Sequence, residues 1–132
     1  MRVMVDTNIL VSAILLDSKR INEFFELLFA KHSLVISNYI IDELFETARK
    51  KFPDRVSVID GLLARMPYEL VYTPREIEPN LFEVRDPDDY PILYTAVREG
   101  VEVLVTGDND LLAVEIEAPE IMRPWDFIKQ YA

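Results

Sequence analysis

The chain has 132 residues, half of them hydrophobic, with 3 Gly, 8 Pro and no Cys. This length suits a single domain over residues 1–132, and the composition excludes collagen-like, low-complexity and disordered chains. The net charge of −10 provides no overall positive field for a polyanion, so such a substrate needs local neutralisation. No apolar run has the length of a membrane span, and the lack of cysteine suits the cytoplasm. We therefore expect a cytoplasmic protein that does not associate with membranes.

Strand and helix signals alternate along the chain. Short apolar runs predict strands, and apolar residues at helical spacing predict helices. The chain begins with a strand over 2–5, a helix over 9–14 capped by Thr7 or Asn8, and a helix over 21–29. A strand over 34–36, a helix capped by Ser37 that ends at 51, a helix from 53 to 65, and a strand over 69–72 follow. A polar loop over 73–84 precedes a helix opened by 86–89 and ended by Gly100, a strand over 101–105, a short helix over 109–113, a strand over 120–122 and a helix over 124–131.

The order of these elements predicts the fold class. Strands separated by helices, with nearly continuous apolar cores, are typical of a parallel sheet that is covered on both faces. We therefore predict a three-layer α/β/α fold with a central, mainly parallel sheet of four to five strands.

Acidic residues follow the predicted strands. Asp6 ends the first strand, Asp108 and Asp110 follow a late strand, Asp86–Asp89 opens a helix, and Glu43 lies in the first turns after another strand. The carboxyl edge of a parallel sheet brings such positions together. A cluster of carboxylates needs a counter-charge, and oxygen ligands without His or Cys favour Mg²⁺ or Mn²⁺. The sequence therefore predicts a divalent-cation site at this edge.

Each acid also has a purely structural interpretation. Asp108 suits a helix N-cap, Asp86–Asp89 suits a helix N-terminus, and Glu43 suits an exposed helix face. Periodicity does not decide whether Asp42 or Glu43 enters the site, because both lie off the apolar face. The pattern of positions, rather than any single acid, indicates a site.

Four segments resemble the motifs of PIN domains, the nuclease fold of many toxin components in bacterial and archaeal toxin–antitoxin pairs. These segments are Val5–Leu10, Ser37–Glu43, Asp86–Ala96 and Val105–Leu112. All four occur in order and their spacing fills the chain, so the resemblance is specific although each motif alone is weak. It points to the PIN-family toxin components.

The resemblance implies residues for a metal-binding site. It implies the metal-binding acids Asp6, Glu43, Asp89, Asp108 and Asp110, of which the first four form the catalytic core. It favours Glu43 over Asp42, and Asp89 over its neighbours. It also implies three polar residues that orient the acids or contact a phosphate, namely Thr7, Asn8 and Thr106. These three suit helix caps and turns equally well.

The function implied by the resemblance is metal-dependent endoribonuclease activity, in which Mg²⁺ or Mn²⁺ assists hydrolysis of RNA phosphodiester bonds. Such a protein would be the toxin of a toxin–antitoxin pair, with an antitoxin protein as partner and a homodimer as its assembly. The basic residues Arg49, Lys50, Lys51 and Arg55 would either follow the RNA backbone or form a solvated helix end, and the second interpretation is favoured.

Two other functions fit parts of the sequence. One is a non-catalytic protein-binding or regulatory module with the same fold, which the intact acids disfavour. The other is a phosphatase of the haloacid-dehalogenase type, which needs an acid where Asn8 stands. The aromatic residues Phe24, Phe25, Phe29 and Tyr39 suit either the core or a partner-binding surface, and the sequence leaves this choice open.

Overall fold

The computed structural model describes all residues from 1 to 132, and its elements follow the predicted order. The strands are β1 (Arg2–Val5), β2 (Ser33–Ser37), β3 (Tyr68–Val71), β4 (Val103–Val105) and β5 (Glu120–Met122). The α-helices are α1 (Thr7–Leu10), α2 (Lys19–Lys31), α3 (Asn38–Lys51), α4 (Val56–Arg65), α5 (Tyr90–Glu99), α6 (Asn109–Leu112) and α7 (Pro124–Tyr131). A π-helical turn, Val11–Leu15, continues α1, and 3₁₀ turns at Pro53–Arg55 and Pro87–Asp89 precede α4 and α5.

The five strands form one parallel sheet in the order β3-β2-β1-β4-β5. Val3, Met4 and Val5 of β1 are all completely buried, as are the three residues of β4. Because successive strand side chains point to opposite faces, this burial requires helices on both faces of the sheet. The predicted three-layer α/β/α fold is confirmed. None of the helices is long and apolar enough to cross a membrane.

Aromatic packing between α2 and α7 resolves a choice that the sequence leaves open. Phe24 is fully buried, and its ring meets that of Phe127 edge to face with centroids 5.6 Å apart. Phe25 is buried beside it and stacks on the half-buried Phe29. Phe24 and Phe25 therefore belong to the core, because burial of their rings inside one chain leaves no face for a partner.

The cap of the first helix lies one residue before the earlier of its two predicted positions. Asp6 is the N-cap of α1, and its Oδ1 accepts a hydrogen bond from the Thr7 N–H at 2.7 Å. The prediction of Thr7 or Asn8 as the cap is therefore wrong, because β1 passes directly into the helix at Asp6. One carboxylate thus both ends a strand and starts a helix.

The fourth strand is shorter than predicted. It begins at Val103 rather than Val101, because the Val101 N–H donates to the Ala96 carbonyl at 3.3 Å and closes the end of α5. Gly100 makes this reversal with a φ of 66°, a conformation that glycine adopts without a steric cost.

The strand order places a crevice at the carboxyl ends of β1 and β4. From β1 the chain moves outward through β2 to β3, and it then returns to the other side of β1 for β4 and β5. Ligands of open parallel sheets bind where the order reverses in this way. The Asp6 N–H donates to the Val105 carbonyl at 2.9 Å, so the two strand ends lie side by side.

Candidate metal centre

Asp6 and Thr106 form the floor of this crevice. The Thr106 hydroxyl donates to Oδ2 of Asp6 at 2.8 Å and accepts from the Asp108 N–H at 2.9 Å. Thr106 is completely buried, so this hydroxyl fixes the end of β1 relative to the loop after β4. Burial raises the pKa of Asp6, the hydrogen bonds from Thr106 and Thr7 oppose the rise, and the Asp108 carboxylate adds to it.

Asp108 and Asp110 lie at the start of α6. Asp108 is the N-cap of this helix, and its Oδ1 accepts from the Asp110 N–H at 2.8 Å. The structural interpretation of Asp108 is therefore correct, although the residue also borders Asp6 and Asp89. The Asp110 carboxylate accepts two hydrogen bonds from Arg85, at 2.7 and 3.0 Å, and this pairing lowers the pKa of Asp110.

Asp89 is the buried acid of the cluster. It lies between a 3₁₀ turn and α5, its side chain is almost fully buried, and its Oδ2 has no hydrogen-bond partner. Burial raises the pKa of Asp89 to about 8, and the carboxylates of Asp108, Asp6 and Asp86 add to the rise. Buried polar atoms are normally hydrogen-bonded, so an unpaired carboxylate oxygen among other acids indicates a missing positive charge.

Glu43 joins the cluster through Thr7. The Thr7 hydroxyl donates to Oε1 of Glu43 at 2.7 Å, while the Thr7 N–H donates to Asp6. Glu43 is half-buried, whereas Asp42 on the same helix is exposed, so Glu43 is the one that faces the crevice. Burial raises the pKa of Glu43, the bond from Thr7 opposes the rise, and the charge of Asp6 adds to it.

The structure groups the acids differently from the set that the resemblance implies. Carboxylate oxygens of Asp86, Asp89 and Asp110 lie within 4.8 Å of one another, while Asp6 and Asp108 border Asp89. Glu43 lies outside the group of three. Of the three polar residues, Thr7 and Thr106 bond to acids, whereas Asn8 is exposed.

Sequence reasoning gave no place in the site to Tyr39 or Arg85, and the resemblance favoured Asp89 over its neighbour Asp86, although the structure places Asp86 in the same group of acids. The Tyr39 hydroxyl donates to the Asp88 carbonyl at 3.0 Å, and burial together with nearby acids raises the pKa of Tyr39 to about 12. Tyr39 stands one helical turn before Glu43, so its spacing could have placed it here. Arg85 leaves no such signal, because it lies in a loop without periodicity.

The donor set fits a hard divalent cation. All ligand atoms are carboxylate oxygens, and Arg85 is the only basic side chain that pairs with one of the acids. Two carboxylates 4 Å apart repel each other by about 4 kcal/mol at an effective dielectric of 20, so the cluster is relieved by a cation. Mg²⁺ and Mn²⁺ prefer oxygen ligands of this kind.

The basic patch predicted from the sequence lies at the opposite end of α3. Arg49, Lys50 and Lys51 are exposed in the last turn of the helix, where cations interact favourably with the helix dipole. Arg55 donates to the Ile14 carbonyl at 3.2 Å. These contacts are consistent with a solvated helix end.

Comparisons with known proteins agree with the fold described above. The fold is similar to that of VapBC2 from Rickettsia felis, in a crystal structure bound to a DNA fragment from its promoter. The TM-score is 0.70 and the sequence identity 23%, and the match covers 93% of this chain and 98% of that chain. It is also similar to DNA-bound VapBC from Salmonella typhimurium, with a TM-score of 0.69, 21% identity, and coverage of 94% and 98%. No curated protein matches significantly. The family model described as PIN domain matches residues 2–110, so the chain belongs to the PIN domain family.

Proposed function

We propose that residues 1–132 act as one metal-dependent endoribonuclease domain that hydrolyses RNA phosphodiester bonds. The observation that carries this proposal is the buried Oδ2 of Asp89, which lacks a partner among carboxylates at the reversal of strand order. Membership of the PIN domain family supports nuclease chemistry. The same site would let a chain with a net charge of −10 act on a polyanion, because a bound cation offsets negative charge at the site and offers a positive centre to a phosphate oxygen.

In this proposal the acids are the ligands of the metal ion. Asp6, Asp89 and Asp108 would hold Mg²⁺ or Mn²⁺, with Asp110 as a further ligand and Glu43 placed beside them through Thr7. When bound, such a cation activates water for attack on phosphorus and stabilises the negative charge that develops on the phosphate.

The remaining side chains position these acids and the substrate. Thr106 holds Asp6 and the Asp108 backbone with a single hydroxyl, and Thr7 holds Asp6 and Glu43. Asn8 is exposed beside them and is free to contact a phosphate oxygen. Arg85 adds a guanidinium at the rim, where it suits a phosphate because such groups bind phosphate in a bidentate way.

The physiological role that we propose is that of the toxin of a toxin–antitoxin pair. The sequence motifs resemble those of PIN-family toxin components, and the two similar structures are VapBC assemblies bound to DNA. An antitoxin protein would therefore be the partner, and a homodimer would be the assembly of the free protein. Light scattering after size-exclusion chromatography tests the homodimer, and co-purification with the protein encoded beside it tests the partner.

Cleavage of a mixed, fluorescently labelled RNA pool tests the nuclease proposal. We expect cleavage with Mg²⁺ or Mn²⁺ and none with EDTA. Asp89→Asn should lower the rate of cleavage by at least about a hundredfold. Loss of a residue that only hydrogen-bonds to a metal ligand costs up to about a hundredfold, and loss of a ligand should cost at least as much. Asp88→Asn is the matched control, because Asp88 is the exposed neighbour of Asp89 and the substitution removes the same charge.

A second readout separates loss of metal from loss of chemistry. Titration of Mn²⁺ followed by electron paramagnetic resonance should show binding to the wild-type protein and to Asp88→Asn, and weaker binding to Asp89→Asn. Folded protein that binds Mn²⁺ but cleaves no RNA would favour the non-catalytic binding module instead. Absence of Mn²⁺ binding would contradict the metal centre itself.

A further inference from the structure

A large cavity opens beside the acidic cluster, between the loop before α5 and the start of α6. Its volume is about 910 Å³, which lies within the range of about 300–1,000 Å³ typical of pockets for small organic ligands. Most of its wall is apolar or proline, including Ile77, Pro79, Phe82, Pro87 and Tyr90. The apolar part of the wall suits an uncharged ring better than a phosphate, and the remaining lining residues are polar or charged, namely Asn80, Glu83, Arg85 and Asp110.

Contacts of Tyr90 hold the loop in place. The rings of Phe82 and Tyr90 stack with centroids 4.4 Å apart and an interplanar angle of 21°. The Tyr90 hydroxyl donates to the Glu78 carbonyl at 2.6 Å and accepts from the Leu81 N–H at 3.2 Å. The aromatic wall is therefore formed before any ligand arrives, which lowers the cost of ordering the loop on binding.

The cavity is continuous with the acidic cluster. Arg85 and Asp110 line the cavity, and Asp110 also has a carboxylate oxygen within 4.8 Å of one from Asp89. The two sites therefore share a wall at Asp110. If a phosphate binds at the acidic cluster, the nucleoside attached to it would lie beside the opening of the cavity. Single-stranded RNA is commonly recognised by contacts of its unstacked bases with aromatic and other apolar side chains.

We propose that this cavity binds the base of a nucleotide next to the cleaved phosphodiester bond, and that the wall formed by Phe82 and Tyr90 contributes to the choice of cleavage site. The inference rests on the proposed ribonuclease function. An apolar side chain of a protein partner would also fit an apolar cavity. The shared wall favours a base over a side chain of a protein partner, because the base next to a phosphate bound at the acidic cluster is already held beside the cavity by the RNA backbone.

The test combines a filled cavity with RNA that lacks one base. Ala113 is exposed and lines the cavity, so Ala113→Phe narrows it without removing a core contact. Ala64→Phe is the matched control, since Ala64 is exposed on α4, and it makes the same change away from the cavity. Once the cleaved bond is mapped, an abasic ribose is moved through the positions on either side of it, and binding of each labelled RNA is measured by fluorescence anisotropy in Ca²⁺.

We expect one abasic position to weaken binding to the wild-type protein by about tenfold, the size of a lost contact between one base and an apolar wall. Ala113→Phe should weaken binding of intact RNA to a similar degree and should make the protein insensitive to that abasic position. Ala64→Phe should behave as the wild type. Mn²⁺ binding should be equal in all three proteins, which shows that the acidic cluster is intact.

Two negative results have different meanings. If the wild-type protein binds intact and abasic RNA equally, and Ala113→Phe binds both as tightly as the wild type, the base-binding cavity is wrong. The same result would be expected if the cavity received a side chain of a protein partner. Cleavage of intact RNA in Mg²⁺ or Mn²⁺ would still support the nuclease function. If the wild-type protein neither binds nor cleaves any RNA, the proposed function fails and the cavity proposal fails with it.

Discussion

Burial of Asp89 should make the metal-free protein sensitive to pH, and Asp89→Asn should reduce this sensitivity. The pKa of the buried Asp89 is raised to about 8 from an ordinary value of 3.8. Between these two pH values the folded state binds more protons than the unfolded state, so the free energy of unfolding falls as the pH rises through this window. The contribution of Asp89 is most favourable at the acidic end and is lost by about pH 8.

The size of the effect follows from this shift. Each pKa unit corresponds to 1.36 kcal/mol, so a difference of about four units sets a ceiling of about 5 kcal/mol. Relaxation of the protein around a buried charge and penetration of water lower the effective cost below this ceiling. We therefore expect about 2 kcal/mol between about pH 5 and about pH 8, which corresponds to roughly 8 °C in Tm for a chain of this length.

Thermal unfolding in EDTA, measured over this pH range, checks the prediction. At about pH 8, Asp89→Asn should have a higher Tm than the wild type, and its Tm should vary less with pH. Asp88→Asn removes the same charge from an exposed position and should follow the wild-type pH dependence. A lower Tm for Asp89→Asn at this pH, or a pH dependence equal to that of the wild type, would show that burial does not oppose ionisation of Asp89.

Addition of Mn²⁺ extends the same experiment. Metal binding to the folded state should raise the free energy of unfolding of the wild type by mass action, by about 2.7 kcal/mol at a hundredfold excess over Kd, and the Tm should rise with it. It should also release protons, because the ligands bind as carboxylates. Asp89→Asn should show a much smaller rise. An equal rise in both proteins would place the metal elsewhere.

Three further substitutions test the positioning of the site. Thr106→Val should cost about 2 kcal/mol in urea unfolding and reduce RNA cleavage, because it leaves Oδ2 of Asp6 and the Asp108 N–H without a buried partner. Thr106→Ser should restore most of both. Gly100→Ala should cost about 1 kcal/mol in the same assay, because Gly100 has a φ of 66°. Gly107→Ala should be neutral, because the φ of Gly107 is not in the left-handed region and a Cβ there meets no atom within 4 Å. Arg85→Ala should leave Tm unchanged, because the side chain is 84% exposed, while weakening RNA binding several-fold in anisotropy measurements.

The sequence allowed prediction of the sheet and its helices because the burial pattern of each element is local. The apolar run around Met4 and the helical spacing around Ile92 each identify an element without reference to the rest of the chain. The contacts between elements have no such signature. Periodicity did not separate Asp42 from Glu43, because the choice depends on the Thr7 hydroxyl, which lies 36 residues away in sequence.

The loop before α5 shows the limit more clearly. Residues 73–84 lack periodicity, and the sequence predicted only a polar loop there. In the structure this segment supplies Phe82, which is buried against Tyr90, and it leads into Arg85 and Asp86 beside the acidic cluster. A cavity formed by a loop and two helices depends on their relative placement, and no local pattern of residues encodes that placement.

The hydrogen bonds of the acidic cluster explain why one acid differs from the others. Asp6 and Asp108 each accept a backbone N–H, and Asp6 also accepts the Thr106 hydroxyl, so both carboxylates have partners before a metal binds. Asp89 has a buried oxygen without a partner. A cation at the crevice would supply the missing interaction, and its binding energy would then contribute to folding stability. Metal affinity, stability and pH dependence should therefore change together when Asp89 is substituted.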